Sequence, residues 1–332
     1  MTNSVTPKET ALAQIELNQA MAAAKRYAEK SRSDATWRAY RNDWRQFDTW
    51  CRGVGVPSLP ATAETISMFL ASQADTGLST SNLTRRLAAI RLVHLGAGHV
   101  SAHNALTVTE VMRGIRRNWG KSPAKKKAAI DEDIKKMADA VEPETRKGIR
   151  DRALLLFGFA GAFRRSELVR LNTWDLDERS EGLKVTIAKS KTDQEGFGQS
   201  IGVLRVENSP YCPVQAVKDW VTVAGIEKGA LFRRMFRGDS VGQTRLSSQS
   251  ISLVVKDLAY RAALNPGDYA GHSLRSGFLT SAAQQNASIF KMADQSRHTS
   301  LDVLRGYVRE ESLFDANAGG GLLASRDLDK VD

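Results

Sequence analysis

The sequence predicts a mainly α-helical protein of two domains: a helical N-terminal domain, then a mixed α/β, mostly helical domain with a small β-hairpin. Three observations carry this. The chain has 332 residues, 42% of them hydrophobic, which suits two buried cores better than one. Apolar residues recur at spacings of three and four through most of the chain, the period of an amphipathic helix. In LKVTIAK (183–189) and QSIGVLRV, by contrast, apolar and polar residues alternate on either side of the loop SKTDQEGFG, as in two paired strands.

Residues 1–32 are polar and alanine-rich and read as an N-terminal arm. From Ser33 a first strong helix places Trp37, Tyr40, Trp44 and Phe47 on one face and Arg38, Arg41 and Arg45 elsewhere. A second runs over AETISMFLASQA from Ala63. The third follows the capping residues of GLSTSN and aligns Leu83, Leu87, Ile90 and His94, leaving Arg85, Arg86 and Arg91 off the stripe. The fourth gathers Val108, Val111, Met112, Ile115 and Trp119, with Arg113, Arg116 and Arg117 outward. Residues 33–119 thus form a helical domain with repeated basic faces. His94, His99 and His103 lack a cysteine or carboxylate pattern and read as solvated polar groups rather than metal ligands.

GKSPAKKKA (120–128) contains Gly, Pro and a lysine run and reads as a flexible basic linker. The second domain spans 129–310, with helices expected at 131–141, 148–160, 165–171, 213–224, 248–263, 273–285 and 300–308 around the hairpin. Residues 311–332 form a tail combining a short apolar helix, three glycines and a polar end, which by itself reads as a disordered end.

Charge narrows the function. With 48 Lys+Arg against 37 Asp+Glu the chain carries +11, which favours a polyanionic partner without separating DNA from RNA or an acidic surface. Residues 113–127 hold seven basic and no acidic side chains, Lys121, Lys125, Lys126 and Lys127 among them. The N-terminus lacks a secretory pattern and no long apolar run occurs, so an intracellular protein without a membrane partner is expected. Cys51 and Cys212 stand far apart without a motif, which fits packing roles in a reducing compartment.

Three segments of the second half set polar groups in apolar surroundings. In GAFRRSEL, Arg164 and Glu167 are three apart at a helix start; in GHSLR, His272 and Arg275 share that step; in SRHTSLDVLRGYV, His298 precedes Tyr307 by nine residues. Each alone reads better as a surface ion pair, a helix-capping histidine with a solvated arginine, or a packed tyrosine. Together they offer a nucleophile, cations and proton carriers, the requirements of phosphoryl transfer.

These segments, with AKSKT of the hairpin, resemble in order and spacing the motifs of the tyrosine recombinase family, the lambda-integrase or Cre-type site-specific recombinases. The resemblance covers residues 33–315, and VMRGIRRNW before a basic linker is similar to the Cre-type N-terminal domain. It implies a helical core-binding domain and a catalytic domain closing as a C-shaped clamp on duplex DNA. Tyr307 would attack the scissile phosphate and form a 3′-phosphotyrosyl bond without metal or ATP; no cofactor is implied. Arg164, Arg275 and His298 would bind the phosphate, His272 would accept a proton or bind phosphate, and Glu167 would orient Arg164 or His272. Lys191 would protonate the leaving 5′-oxygen, with Lys189 as competitor, and Arg165 competes with Arg164. The basic residues of the N-terminal domain and linker named above would contact DNA. The implied partners are double-stranded DNA carrying a specific site and further copies of the chain, four on two duplexes joined through the tails, with room for accessory proteins. The implied setting is the cytoplasm of a bacterium, with the gene bacterial, phage or mobile-element borne. Two neighbouring readings remain: a type IB topoisomerase-like strand relaxer, and a DNA-binding regulator that kept the fold without catalysis.

Overall fold

The computed structural model describes residues 19–29, 31–119, 126–188, 198–298 and 300–311. The chain divides into two compact units between Pro123 and Ala124.

The first unit contains α1 (19–29), α2 (Asp34–Val54), α3 (Ala63–Asp75), α4 (Thr80–Gly96) and α5 (Leu106–Trp119). Ser33, Thr62 and Ser79 each accept a backbone N–H at the start of α2, α3 and α4, satisfying donors that the helix leaves unpaired. Phe47, Ile66, Phe69, Leu70, Leu83, Ile90 and Val108 form the core, with the Phe47 and Phe69 rings 5.0 Å apart. His94 corrects the solvated reading: it is fully buried, its Nδ1 lies 2.8 Å from the Ile90 carbonyl, and its Nε2 accepts the Ala61 N–H at 2.9 Å. Both ring nitrogens are used within the protein.

Of the α4 arginines, Arg85 is exposed as expected though paired with α2, and Arg86 is corrected. Asp43 on α2 is buried and accepts from Arg85 Nε at 2.7 Å and Nη2 at 3.1 Å. Arg86, expected outward, has only 11% of its side chain exposed; it lies over the Phe69 ring, bonds Gln73 and sits 3.8 Å from Asp43. A buried carboxylate needs cationic partners, so α4 turns two of its arginines back onto α2.

The second unit contains α6 (Asp131–Asp139), α7 (Arg146–Ala160), α8 (Arg165–Leu168), β1 (Leu176–Arg179), β2 (Gly182–Ile187), β3 (Gln199–Leu204), α9 (Pro213–Val223), β4 (Arg233–Phe236), β5 (Ser240–Arg245), α10 (Ser248–Arg261), α11 (Ser273–Gln284), α12 (Ile289–Ser296) and α13 (Leu301–Glu311). α7 is the central helix: Ala153 to Phe157 are all buried, so it packs on several faces. The predicted hairpin is β2–β3, paired from Gly182↔Leu204 to Ile187↔Gln199. β1 extends it to three antiparallel strands, and β4–β5 form a second hairpin; neither had been expected, because their exposed, charged residues show little alternation. α8 ends at Leu168 rather than 171, and α12 was not foreseen.

Lys126 to Ala129 are also not the free tether expected of a linker. Lys127 N–H donates to the Asp268 carbonyl at 2.8 Å and Ala129 N–H to the Ser273 carbonyl at 3.0 Å. Gly277 permits this approach, since a Cβ there would meet the Ala129 carbonyl oxygen at 1.8 Å. The segment thereby fixes the start of α11, one turn from Arg275.

Candidate active site

The site assembles where α8, α11, α12 and α13 meet. The chain leaves α7 through Ala162, in the left-handed region at φ 45°, a conformation that costs a non-glycine residue about 1–2 kcal/mol. That turn presents Arg164 as the residue capping α8. Glu167, almost fully buried, accepts the Arg164 N–H through Oε2 at 2.9 Å and its Nη1 through Oε1 at 2.6 Å. The three-residue step seen in the sequence lets the Glu167 carboxylate reach back one turn and accept from both the backbone and the guanidinium of Arg164. Behind it, Arg245 on β5 donates to the Leu171 carbonyl at 2.9 Å and to Asn172 Oδ1 at 2.6 Å, so the second hairpin braces the exit of α8.

From α11, Arg275 enters with 1% exposure and donates through Nη1 to the Ala162 carbonyl at 2.8 Å. Its Nη2 lies 3.2 and 3.4 Å from the two ring nitrogens of His298. Ser296 gives its hydroxyl proton to the Met292 carbonyl at 2.6 Å, so its oxygen, 2.7 Å from His298 Nδ1, receives an Nδ1–H. That assigns the tautomer and leaves Nε2 as the lone pair toward Arg275. His272 caps α11 and is exposed, yet close enough that its charge acts on His298. Tyr307 on α13 is half-buried against Leu304, Leu279 and Met292, within electrostatic reach of Arg275.

Arg297 had no role in the sequence reading. It ends α12 in the left-handed region at φ 58°, with 1% of its side chain exposed, and donates to Glu167 Oε2 at 2.8 Å. Its only sequence signal was adjacency to His298; Glu167, Ala162 and Gly161, which its side chain reaches, lie 130 or more residues away.

The electrostatics are one-sided. Among the described residues, the guanidinium groups of Arg164, Arg275 and Arg297 gather near one carboxylate, Glu167, with which Arg164 and Arg297 pair directly. Burial, then the like charges of Arg164 and Arg297, push Arg275 down to about 9. Burial, then Arg275, Arg164, His272 and Arg297, push His298 down to about 4, so the ring is neutral at neutral pH. Burial works to raise Glu167, but Arg297 and then Arg164 outweigh it and hold the carboxyl below its ordinary range. Such a surplus of desolvated positive charge is a site for an anion.

Arg164 thus contacts Glu167, Arg275 contacts His298, and the two pairs are joined through Arg297 and the Ala162 carbonyl, with His272 and Tyr307 at the edge. Arg165 points elsewhere, to Ser252 on α10 at 3.2 Å, so Arg164 is the arginine of the cluster. Lys191 and Lys189 lie outside the described residues, as do Lys121, Lys125 and the tail from 312. Of the residues proposed for DNA, Arg38, Arg41, Arg45, Arg91, Arg116 and Arg117 are exposed, and Arg113 is exposed but paired with Glu110. Lys126 bonds the Gly267 carbonyl, and Lys127 lies 3.4 Å from Asp133 and 5.5 Å from the Tyr269 ring centre.

Residues 130–312 match the phage integrase family, and residues 26–97 match the N-terminal SAM-like domain of phage integrases. The chain is 38% identical over 310 residues to an integrase/recombinase xerD homolog of Selenomonas ruminantium, covering 92% of this chain and 91% of that one. It is 23% identical to the recombinase cre of Escherichia phage P1, over 83% of this chain and 84% of that protein. Its fold is similar to a lambda integrase dimer bound to a core site, with TM-score 0.58 and 15% identity over 86% of this chain and 92% of that one.

Proposed function

The chain belongs to the phage integrase family of tyrosine recombinases, and from that premise we propose that it is a site-specific DNA recombinase whose nucleophile is Tyr307. The observation that carries the residue assignment is the excess of buried guanidinium charge over Glu167 beside that tyrosine. A phosphodiester placed there supplies the missing negative charge, and Arg164 and Arg275 offer N–H pairs to its non-bridging oxygens.

The reaction then follows. The Tyr307 hydroxyl oxygen attacks the scissile phosphorus, its proton passing to His272. A bond forms from the tyrosine oxygen to phosphorus, and the bond from phosphorus to the 5′-oxygen breaks. Lys191 protonates that oxygen, giving a free 5′-hydroxyl and a 3′-phosphotyrosyl link. His298 donates to a non-bridging oxygen once the phosphate has raised its proton affinity, while Glu167 holds Arg164. The covalent link conserves the bond energy, so a second 5′-hydroxyl can reverse the step on a new partner strand.

The exposed arginines of α2, α4 and α5 contact the duplex backbone, and each unit binds DNA. The working assembly is a tetramer on two duplexes in the cytoplasm, built by tails 311–332 docking on neighbouring copies. An apolar groove of about 980 Å³ on the second unit, lined by Ile134, Phe159, Ile201, Phe278 and Met292, supports this reading.

The test is covalent trapping. Wild type on a nicked duplex carrying its site, obtained by selection from a randomised pool, should give a denaturant-stable adduct at the 3′ end. Tyr307→Phe should bind the duplex and give none. An adduct from Tyr307→Phe would overturn the nucleophile; none from wild type would leave the non-catalytic regulator.

A further inference from the structure

We infer that Arg297 is a positioning residue for strand cleavage: a third buried guanidinium that locks Arg164, Arg275 and the turn before His298 into one anion-binding unit. The inference rests on the recombinase reading above and adds to it a residue that the motif pattern does not contain.

Each contact of Arg297 reaches a different member of the site. Its Nη2 donates to Glu167 Oε2 at 2.8 Å, the oxygen that also accepts the Arg164 N–H. The same nitrogen donates to the Ala162 carbonyl at 2.9 Å, the acceptor that Arg275 uses at 2.8 Å. Its Nη1 donates to the Gln295 and Gly161 carbonyls at 2.6 and 3.2 Å, and its own carbonyl accepts Arg164 Nη2 at 3.3 Å. The two arginines proposed to hold the phosphate are thus joined to each other through residue 297. The residue that follows it is His298.

The backbone adds an independent observation. At φ 58° glycine would fit without strain, so a long cationic side chain is retained there against a conformational penalty. Lysine would place the charge but lacks the fork that spans these acceptors. Both Nη atoms of Arg297 are committed to Glu167 and to three backbone carbonyls, and its guanidinium carbon lies 5.3 Å from the Phe163 ring centre, which sets it behind the two arginines proposed to hold the phosphate. It acts through Arg164, Arg275 and Glu167.

Arg297→Gly is the informative variant, because glycine keeps the left-handed turn while removing the guanidinium. Full-length Arg297→Gly should bind the nicked duplex as wild type does, yet form the 3′ adduct about 10–100-fold more slowly in single turnover. Added ethylguanidinium should restore part of that rate in Arg297→Gly and leave wild type and Tyr307→Phe unchanged. Arg297→Lys should be slowed as well. If circular dichroism shows that the glycine variant does not fold, the lysine variant decides by the same rates. Adduct formation at the wild-type rate overturns the inference, and so does slow cleavage that ethylguanidinium does not rescue and that falls in step with DNA affinity. An absent wild-type adduct would instead overturn the recombinase reading from which the inference starts.

Discussion

His298 carries a pH dependence whose sign can be worked out from its surroundings. Burial and the charges of Arg275, Arg164, His272 and Arg297 hold its folded-state pKa near 4, against 6.5 in an unfolded chain. Between those values the unfolded chain binds a proton that the folded chain does not, so this contribution to stability is complete above the unfolded pKa and is lost as pH falls. Thermal melts of the DNA-free protein should therefore fall more steeply between about pH 7 and about pH 5 for wild type than for His298→Gln. Duplex binding should act in the opposite direction, because a phosphodiester beside Arg164 and Arg275 offsets the like charges. The His298 ring resonances, followed by NMR in Tyr307→Phe, should titrate at higher pH with duplex than without. An unchanged titration would remove the phosphate from the vicinity of His298.

At the scale of elements, the groove joins parts that the sequence presents separately. Its lining comes from α6, α7, β3, α11 and α12, and Gln295 of α12 donates to the Ala160 carbonyl of α7 and the Gly202 carbonyl of β3, both at 2.9 Å. A tail bound there would touch both the sheet that carries the lysine loop and the helix that ends at Arg297. A chain ending at residue 311 should therefore bind one duplex with unchanged affinity but fail to pair two, as read by sedimentation of labelled duplexes; paired complexes from the truncated chain would sink the tail-docking proposal. Arg164–Glu167 and His272–Arg275 were legible in the sequence because a one-turn step fixes a shared face. The core helices were legible because their stripes are long. The α12 helix was not, since eight residues give too few turns for a stripe and its capping residue makes no side-chain bond. Strand β5 is placed by the Arg245 side chain reaching back to the Leu171 carbonyl, and β4 by its own carbonyl at Arg233 accepting from Arg150 on α7, causes that no local pattern records. Arg297 was missed for the same reason, and Arg86 was misread because its exposure depends on Asp43, a buried carboxylate on another helix.

For the whole molecule, the +11 charge becomes informative once its arginines are sorted by what they touch. Arg38, Arg41 and Arg45 are exposed along α2, whereas Arg86 is committed to Asp43, Gln73 and the Phe69 ring. A duplex bound through phosphate contacts releases a counterion for each one, so log affinity should fall linearly with log salt, with a slope of about −0.9 per phosphate neutralised. Replacing an α2 arginine that contacts phosphate by glutamine should make that slope shallower by about 0.9 and leave the melting temperature near that of wild type. Arg86→Gln should do the reverse: the slope stays, while the melting temperature falls because buried Asp43 loses part of its cationic surroundings. Fluorescence anisotropy on a labelled duplex across a salt series, paired with thermal melts, reads both quantities on the same proteins. A slope that does not respond to any α2 substitution would move the duplex off that helix face, and a shallower slope in Arg86→Gln would show that the inward arginine is released to bind DNA. The division between contact and scaffold arginines is thus testable one residue at a time, on a chain whose net charge alone would have assigned them all to the same surface.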